Sequence, residues 1–83
     1  MDIGQVRNLA NQMNKEAADI QAMLRTLSAQ IDGAPWKGND RQRFVGEWSN
    51  RHAAALQRVV NSLQAAAREA NEYARRQEWA SKA

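Results

Sequence analysis

Cysteine is absent from this 83-residue chain, and proline and histidine occur once each. No disulfide can therefore stabilise the fold, and a zinc site has neither thiolates nor enough imidazoles to form. A chain this short buries a small core, and association is the common remaining source of stability. The sequence therefore predicts one domain over residues 1–83 that associates with another chain and binds no metal or other cofactor.

Long apolar runs are also missing. No segment approaches the roughly 18 apolar residues of a membrane span, and the N-terminus lacks the basic region and apolar stretch of a secretory signal. By themselves these absences predict a cytosolic protein. Twelve basic residues face nine acidic ones, a net charge of +3, and they are interspersed rather than gathered into the basic stripe of nucleic-acid-binding proteins.

The first third of the chain has the spacing of a helix that packs along one side. Its apolar residues recur at alternating steps of three and four over about four heptads, which is typical of helix-on-helix packing. Asp2 and Gln5 have capping-box spacing at its start, and Gly33 and Pro35 predict its end near residue 32. The residues of this first seam are Ile3, Val6, Ala10, Met13, Ala17, Ile20, Leu24, Leu27 and Ile31.

A second helix is predicted from about residue 40 to residue 75, with Asn39 and Gln42 at capping-box spacing. Its apolar positions recur first at steps of four and later at alternating steps, so its first half is expected to supercoil less tightly. The tail, residues 76–83, loses the apolar rhythm and is expected to be flexible without a partner. The residues of this second seam are Phe44 or Val45, Trp48, His52, Leu56, Val59, Leu63, Ala66, Ala70 and Tyr73.

Two long helices joined by a short turn, residues 33–39, predict an all-α antiparallel hairpin. Two helices share one interface, and the two seams hold more large side chains than that interface covers. A second hairpin packed alongside would cover them, so the expected assembly is a four-helix bundle made of two chains. The residues expected in helix–helix or dimer contacts are Val6, Met13, Ile20, Leu24, Leu27, Phe44, Trp48, Leu56, Val59 and Leu63.

Signs of catalysis are missing as well. No nucleophile sits in a recognisable turn, no glycine-rich loop follows a strand, and no pair of acids is framed by a pocket. A two-helix hairpin also offers little concavity for a substrate. The sequence therefore predicts a protein without enzymatic activity, with no catalytic residue and no small-molecule substrate.

The predicted turn holds Trp36 and, two residues later, Gly38. The indole is expected to fold across the open end of the two helices, a burial worth about 2–3 kcal/mol when complete, and Gly38 permits a positive φ. The segment PWKGND, followed by Phe44 and Trp48, resembles the WXG family of small helical Trp-x-Gly proteins. These are exported by type VII secretion systems of actinobacteria and Firmicutes. The resemblance extends over the whole chain, in length, hairpin layout and mid-chain position of the motif.

The resemblance implies a function and a set of partners. Members of the family leave the cytoplasm folded, as homodimers or with a paired sister protein, through an apparatus driven by a membrane ATPase. It therefore implies a secreted substrate or an export partner that acts as adaptor, without a cleaved signal peptide. Trp36 and Gly38 would form part of the surface recognised for export. The net charge of +3 favours an acidic sister protein, because complementary charge steers pairing.

The export signal of the family, a Tyr followed four residues later by an acid, is only partly present. Tyr73 is followed at that spacing by Gln77, and Glu78 comes one residue later. Either this degenerate signal works, or the sister chain of a heterodimer carries the proper one, which we favour. Two alternatives to export stay open: a cytosolic helical interaction module, and a basic binder of nucleic acid or membrane surfaces whose affinity falls steeply with salt.

Overall fold

The structure, a computed structural model, describes residues 2–82 as a long hairpin of two helical arms, 68 Å in its greatest dimension and 16 by 12 Å across. The predicted all-α antiparallel hairpin is confirmed. The predicted domain also includes Met1 and Ala83, which lie outside the described residues. The elements are α1, Ile3–Gly33; α2, Asp40–Glu47; the π turn, Trp48–His52; and α3, Ala53–Lys82.

Helix α1 begins as its capping pattern predicts and ends slightly later. Asp2 has extended backbone, and its carboxylate accepts a hydrogen bond from the backbone N–H of Gln5 at 3.1 Å. This bond satisfies one of the donors that a helix start leaves unpaired. At the other end, Gly33 is still helical, and Ala34 in extended backbone terminates the helix. Pro35 accounts for this, because a proline holds the residue before it in the extended region.

The second arm starts and ends differently from the prediction. Asn39 precedes α2, but its backbone is helical and its side chain makes no capping hydrogen bond, so the expected capping box does not form. Helix α3 continues to Lys82, whereas the prediction ended the helix near residue 75 and made residues 76–83 a flexible tail. Ion pairs three or four residues apart support this last stretch, each worth about 0.2–0.5 kcal/mol. They join Glu72 to Arg75 and Arg76, and Glu78 to Lys82.

The seam between α1 and α3 buries one residue per heptad from each helix. All nine predicted seam residues of α1 are buried or half-buried, as expected. On α3 the buried positions lie one residue later than predicted, because Val60 and Ala74 are buried whereas Val59 and Tyr73 are 45% and 51% exposed. Four of the six buried residues are alanines, and small side chains let the two backbones approach closely. The six are Ala10, Ala17, Leu24, Val60, Ala67 and Ala74.

A π-helical turn, which the sequence reading did not predict, interrupts the second arm. The N–H of Ala53 bonds to the carbonyl of Trp48, five residues earlier. An α-helix turns by about 100° per residue, so three consecutive steps of four drift by about 120° from the starting face. One extra residue in the turn removes about 100° of that drift. The π turn therefore offsets most of the drift that the steps of four would otherwise accumulate between Phe44 and Leu56.

Candidate functional site

The turn between the arms is closed by Trp36. Its indole N–H donates to the carbonyl oxygen of Ile31 at 2.7 Å, and its ring stacks on Phe44 with the centroids 4.9 Å apart and the planes inclined by 27°. The last carbonyls of a helix have no partner inside it. The Ile31 carbonyl otherwise accepts only a long bond from the N–H of Ala34 at 3.4 Å, so the indole gives it a second, shorter donor. The half-buried Trp36 thus joins the end of α1 to the start of the second arm, as the sequence predicts.

Gly38 has φ +62°, and no other residue between 2 and 82 has a positive φ. This left-handed region costs residues with a side chain roughly 1–2 kcal/mol. A Cβ added at Gly38 would meet nothing within 4 Å. The turn therefore needs glycine here for its backbone conformation and not for space.

Two further links across the turn were missed by the sequence reading. Arg41 donates to the carboxylate of Asp32 at 2.7 Å and to the backbone carbonyl of the same residue at 3.1 Å. The indole N–H of Trp48 donates to the hydroxyl of Ser28 at 2.9 Å. These partners are nine and twenty residues apart, so only the closed turn brings them together. No local spacing in the sequence signals either link.

The two long edges of the hairpin differ in chemistry. When antiparallel helices pack along a heptad seam, the hairpin has two long edges. Residues one position after a seam residue in the sequence meet along one edge, and residues one position before a seam residue meet along the other. We name the first the polar edge, because every residue flanking the seam there is polar. The ion pair between Arg7 and Glu78 crosses it from α1 to α3. Its residues are Arg7, Asn14, Gln21, Ser28, Gln57, Gln64, Asn71 and Glu78.

The opposite side of the hairpin is apolar, and we name it the apolar face. The seam residues turned toward it are only half-buried, and large apolar side chains flank them with about half of their surface exposed. Contiguous exposed apolar surface is uncommon on monomeric proteins. The apolar face comprises half-buried Val6, Met13, Ile20, Leu27, Leu56 and Leu63, and exposed Leu9, Met23, Val59 and Tyr73.

Most of the residues predicted for helix–helix or dimer contacts lie on the apolar face. Three do not: Leu24 is buried inside the seam, and Phe44 and Trp48 lie in the second arm beside the turn. Phe44 is exposed on the side away from its stack with Trp36. The predicted set therefore combines the core of one hairpin with the surface that the hairpin leaves uncovered.

Of the residues of the predicted export signal, Tyr73 and Glu78 are not brought together. Tyr73 is exposed on the apolar face, with the guanidinium carbon of Arg76 5.6 Å from its ring centroid. Gln77 is exposed, and its backbone carbonyl accepts a hydrogen bond from the hydroxyl of Ser81. Glu78 lies on the polar edge, where it pairs with Arg7 and Lys82. An acid and a tyrosine on one surface are therefore absent from residues 73–78.

One exposed aromatic residue was not singled out from the sequence. Trp79 is 76% exposed on the outer side of α3, in a shallow cavity that also involves Arg75, Arg76 and Lys82. Its position in a stretch without apolar rhythm was the available signal. Within residues 2–82, no three acidic or histidine side chains are grouped as a metal site would require. None of the described helices has the length and hydropathy needed to cross a bilayer.

Comparisons of the chain with models of protein families, with curated proteins and with solved structures return no match. The resemblance to the WXG family therefore rests on the Trp-x-Gly turn and on the hairpin pattern of the sequence. The hairpin itself and its apolar face stand independently of that resemblance.

Proposed function

We propose that this protein is a small non-enzymatic WXG-family protein, exported folded by a type VII secretion system as one half of a dimer. The observation that carries the proposal is the turn. Trp36 and Gly38 stand between two amphipathic arms, with Gly38 alone among residues 2–82 at a positive φ and Trp36 bonded to the end of α1. This is the feature that the family resemblance associates with export.

The apolar face supports the dimeric part of the proposal. The apolar face runs along α1 from Val6 to Leu27, about 32 Å at 1.5 Å per residue, and continues on α3 from Leu56 to Tyr73. Burying an exposed Leu, Met or Val completely is worth about 1.5–3 kcal/mol, and Leu9, Met23 and Val59 each have about half of that still to gain. A second helical hairpin on this face would complete a four-helix bundle.

The position of Glu78 supports a sister protein as the partner. Its carboxylate is paired with Arg7 on the polar edge, away from Tyr73. The residue four positions after Tyr73 is uncharged Gln77. In the proposed heterodimer this chain supplies Trp36 and Gly38, and the sister chain supplies the acidic export signal. The membrane ATPase of the apparatus is then a shared partner of both chains, and the final location is outside the cell.

One observation favours a second candidate function. The apolar face calls for a partner but does not by itself call for export, so the same hairpin would serve a cytosolic helical interaction module. Both functions include the same interface. They differ in whether the chain leaves the cell in a way that depends on the ATPase.

The test is export from an actinobacterium with an active type VII system, in which the chain is co-expressed with its genomic neighbour. We expect the protein in the culture filtrate, and its loss from the filtrate when the ATPase gene is deleted. Trp36→Ala should lower the exported fraction while helix content by circular dichroism stays nearly intact. Trp79→Ala, which also removes an indole but far from the turn, is the matched control. Retention of the wild-type chain while another substrate is secreted would contradict export and leave the cytosolic module.

A further inference from the structure

Acidic residues interrupt the apolar face at its centre. Glu16 follows Leu9 and precedes Met23 by seven residues each, so all three project from the same side of α1. The Glu16 side chain is exposed, and its carboxylate accepts a hydrogen bond from the amide of Gln12 at 2.7 Å. A charged residue therefore stands where the apolar pattern would place a third large hydrophobic side chain.

Two more acids flank the face at the same height. Ala17 and Ala67 are the middle members of the two buried series, so they mark the midpoint of the hairpin. Asp19 on α1 and Glu69 on α3 lie two residues from that midpoint, within about 3 Å along the axis. Both are exposed. The centre of the apolar face and its two margins are therefore acidic.

Two basic residues lie at this height, but Lys15 is paired with Asp19 and Arg68 lies beside Arg7 and Asn71 of the polar edge. Lys15 is bonded to Asp19, and that hydrogen bond, with the charges of Asp19 and Glu16, raises the pKa of its ammonium group. Glu16 and Glu69 make no ion pair within residues 2–82. The other basic residues lie at the turn, on the polar edge, on the outer sides of the helices or near the open end: Arg7, Arg25, Lys37, Arg41, Arg43, Arg51, Arg58, Arg68, Arg75, Arg76 and Lys82.

Two copies meeting through the apolar face would set these acids against one another. A two-fold axis in the plane of the interface can place the second turn at the same end as the first or at the opposite end. Because Glu16, Asp19 and Glu69 all lie near the midpoint, acidic side chains of one copy face acidic side chains of the other in both arrangements. Like charges across an interface disfavour the pairing, and burying an unpaired carboxylate is strongly unfavourable.

We infer that the apolar face is covered by a different chain, a helical partner that carries lysine or arginine side chains at the middle of its own apolar surface. The inference rests on the proposed dimer and states the chemistry of its second member. Cations opposite Glu16 and Glu69 would form charge-assisted hydrogen bonds as the interface loses water. The net charge of +3 favoured an acidic partner, but the charge at the interface favours a basic one.

A charge-reversed copy of the same chain provides the probe. Glu16→Lys combined with Glu69→Lys keeps the apolar face and supplies the two cations that the inference requires. We expect the wild-type chain and this variant each to be monomeric in sedimentation at low salt, and their mixture to form a 1:1 dimer. The mixture should associate at least about tenfold more tightly than either chain alone, and added salt should weaken it.

A second double variant tests whether the position of the new charges matters or only their number. Glu72→Lys combined with Glu78→Lys makes the same change in net charge on the outer side and the polar edge. Mixed with the wild-type chain, it should give no dimer, provided that circular dichroism shows both variants to be helical. A stable dimer of the wild-type chain alone would overturn the inference, as would a mixture with the first variant that stays monomeric. Neither outcome involves secretion, so the result is independent of the export test.

Discussion

The two sides of the hairpin flank the same heptad seam, but one side is polar and the other is apolar. Along the polar edge, the residues beside the seam are amides, a hydroxyl and one ion pair, and they close the groove with groups that water solvates. Along the apolar face, the equivalent positions hold Leu9, Met23, Val59 and Tyr73, which stay half-exposed. The comparison teaches that the seam specifies the fold, whereas the residues flanking it decide which side is polar and which side exposes apolar surface.

The largest effect is expected inside the seam on which both sides depend. Leu24→Asp places a carboxylate at a position that is 7% exposed, where it has no partner, and we expect the hairpin to lose more than about 3 kcal/mol of stability. Thermal unfolding followed by circular dichroism measures this. A melting temperature close to that of the wild type would show that Leu24 does not lie between the arms.

The next effect should separate the two sides. Leu9→Asp on the apolar face should leave the hairpin folded and weaken dimerisation with the charge-reversed copy by about 2 kcal/mol, because an apolar contact becomes a charge at the interface. Gln21→Asp on the polar edge introduces the same side chain and should leave the affinity unchanged. Equal losses for the two variants, measured by sedimentation, would mean that both sides of the hairpin are interfaces.

A smaller effect is expected at the turn, which sets the alignment of the two sides. Gly38→Ala should destabilise the hairpin by about 1 kcal/mol through its positive φ, since the added Cβ meets no atom. Gly33→Ala, at a helical position of the same segment, should be neutral or slightly stabilising. Chemical denaturation of the two variants provides the measurement. A loss at Gly33 as large as that at Gly38 would point to a crowded turn instead of a backbone requirement.

The smallest effect should come from the polar edge. Arg7→Ala breaks the ion pair with Glu78, but the two side chains are 47% and 38% exposed and so remain in contact with solvent, and we expect a loss of less than about 1 kcal/mol. That loss should shrink further at high salt. A much larger effect in denaturation would mean that the open end of the hairpin depends on this pair.

The sequence predicted α1, the turn and the hairpin correctly, and it placed the α3 seam one residue too early. On α1 one seam position of each heptad holds an apolar residue with polar neighbours on both sides, namely Val6, Met13, Ile20 and Leu27, so these residues fix the face. On α3 the apolar residues come side by side, as in Val59–Val60, Ala65–Ala67 and Tyr73–Ala74. Either member of such a run satisfies the period, and packing against α1 decides between them.

The parts of the site that depend on distant residues were not predictable from spacing. The steps of four indicated that the apolar positions drift around the second arm. A π turn and looser supercoiling both accommodate such a drift, and the sequence period alone does not distinguish them. The link from Arg41 to Asp32 exists only once the turn has formed. By contrast, the predicted places of Trp36 and Gly38 in the turn are observed, because these roles are local, whereas their role in export stays a prediction.

The alanine-rich seam has a consequence for the life of the chain in the cell. A buried methyl group contributes about 0.8 kcal/mol, so most of the large apolar side chains would contribute fully only in the proposed dimer. Assembly would then stabilise the folded hairpin by mass action, and a partner at one hundred times its dissociation constant would add about 2.7 kcal/mol. A chain made in excess of the proposed partner would stay less stable and more open to proteolysis. Synthesis of the chain and its partner in equal amounts would protect both.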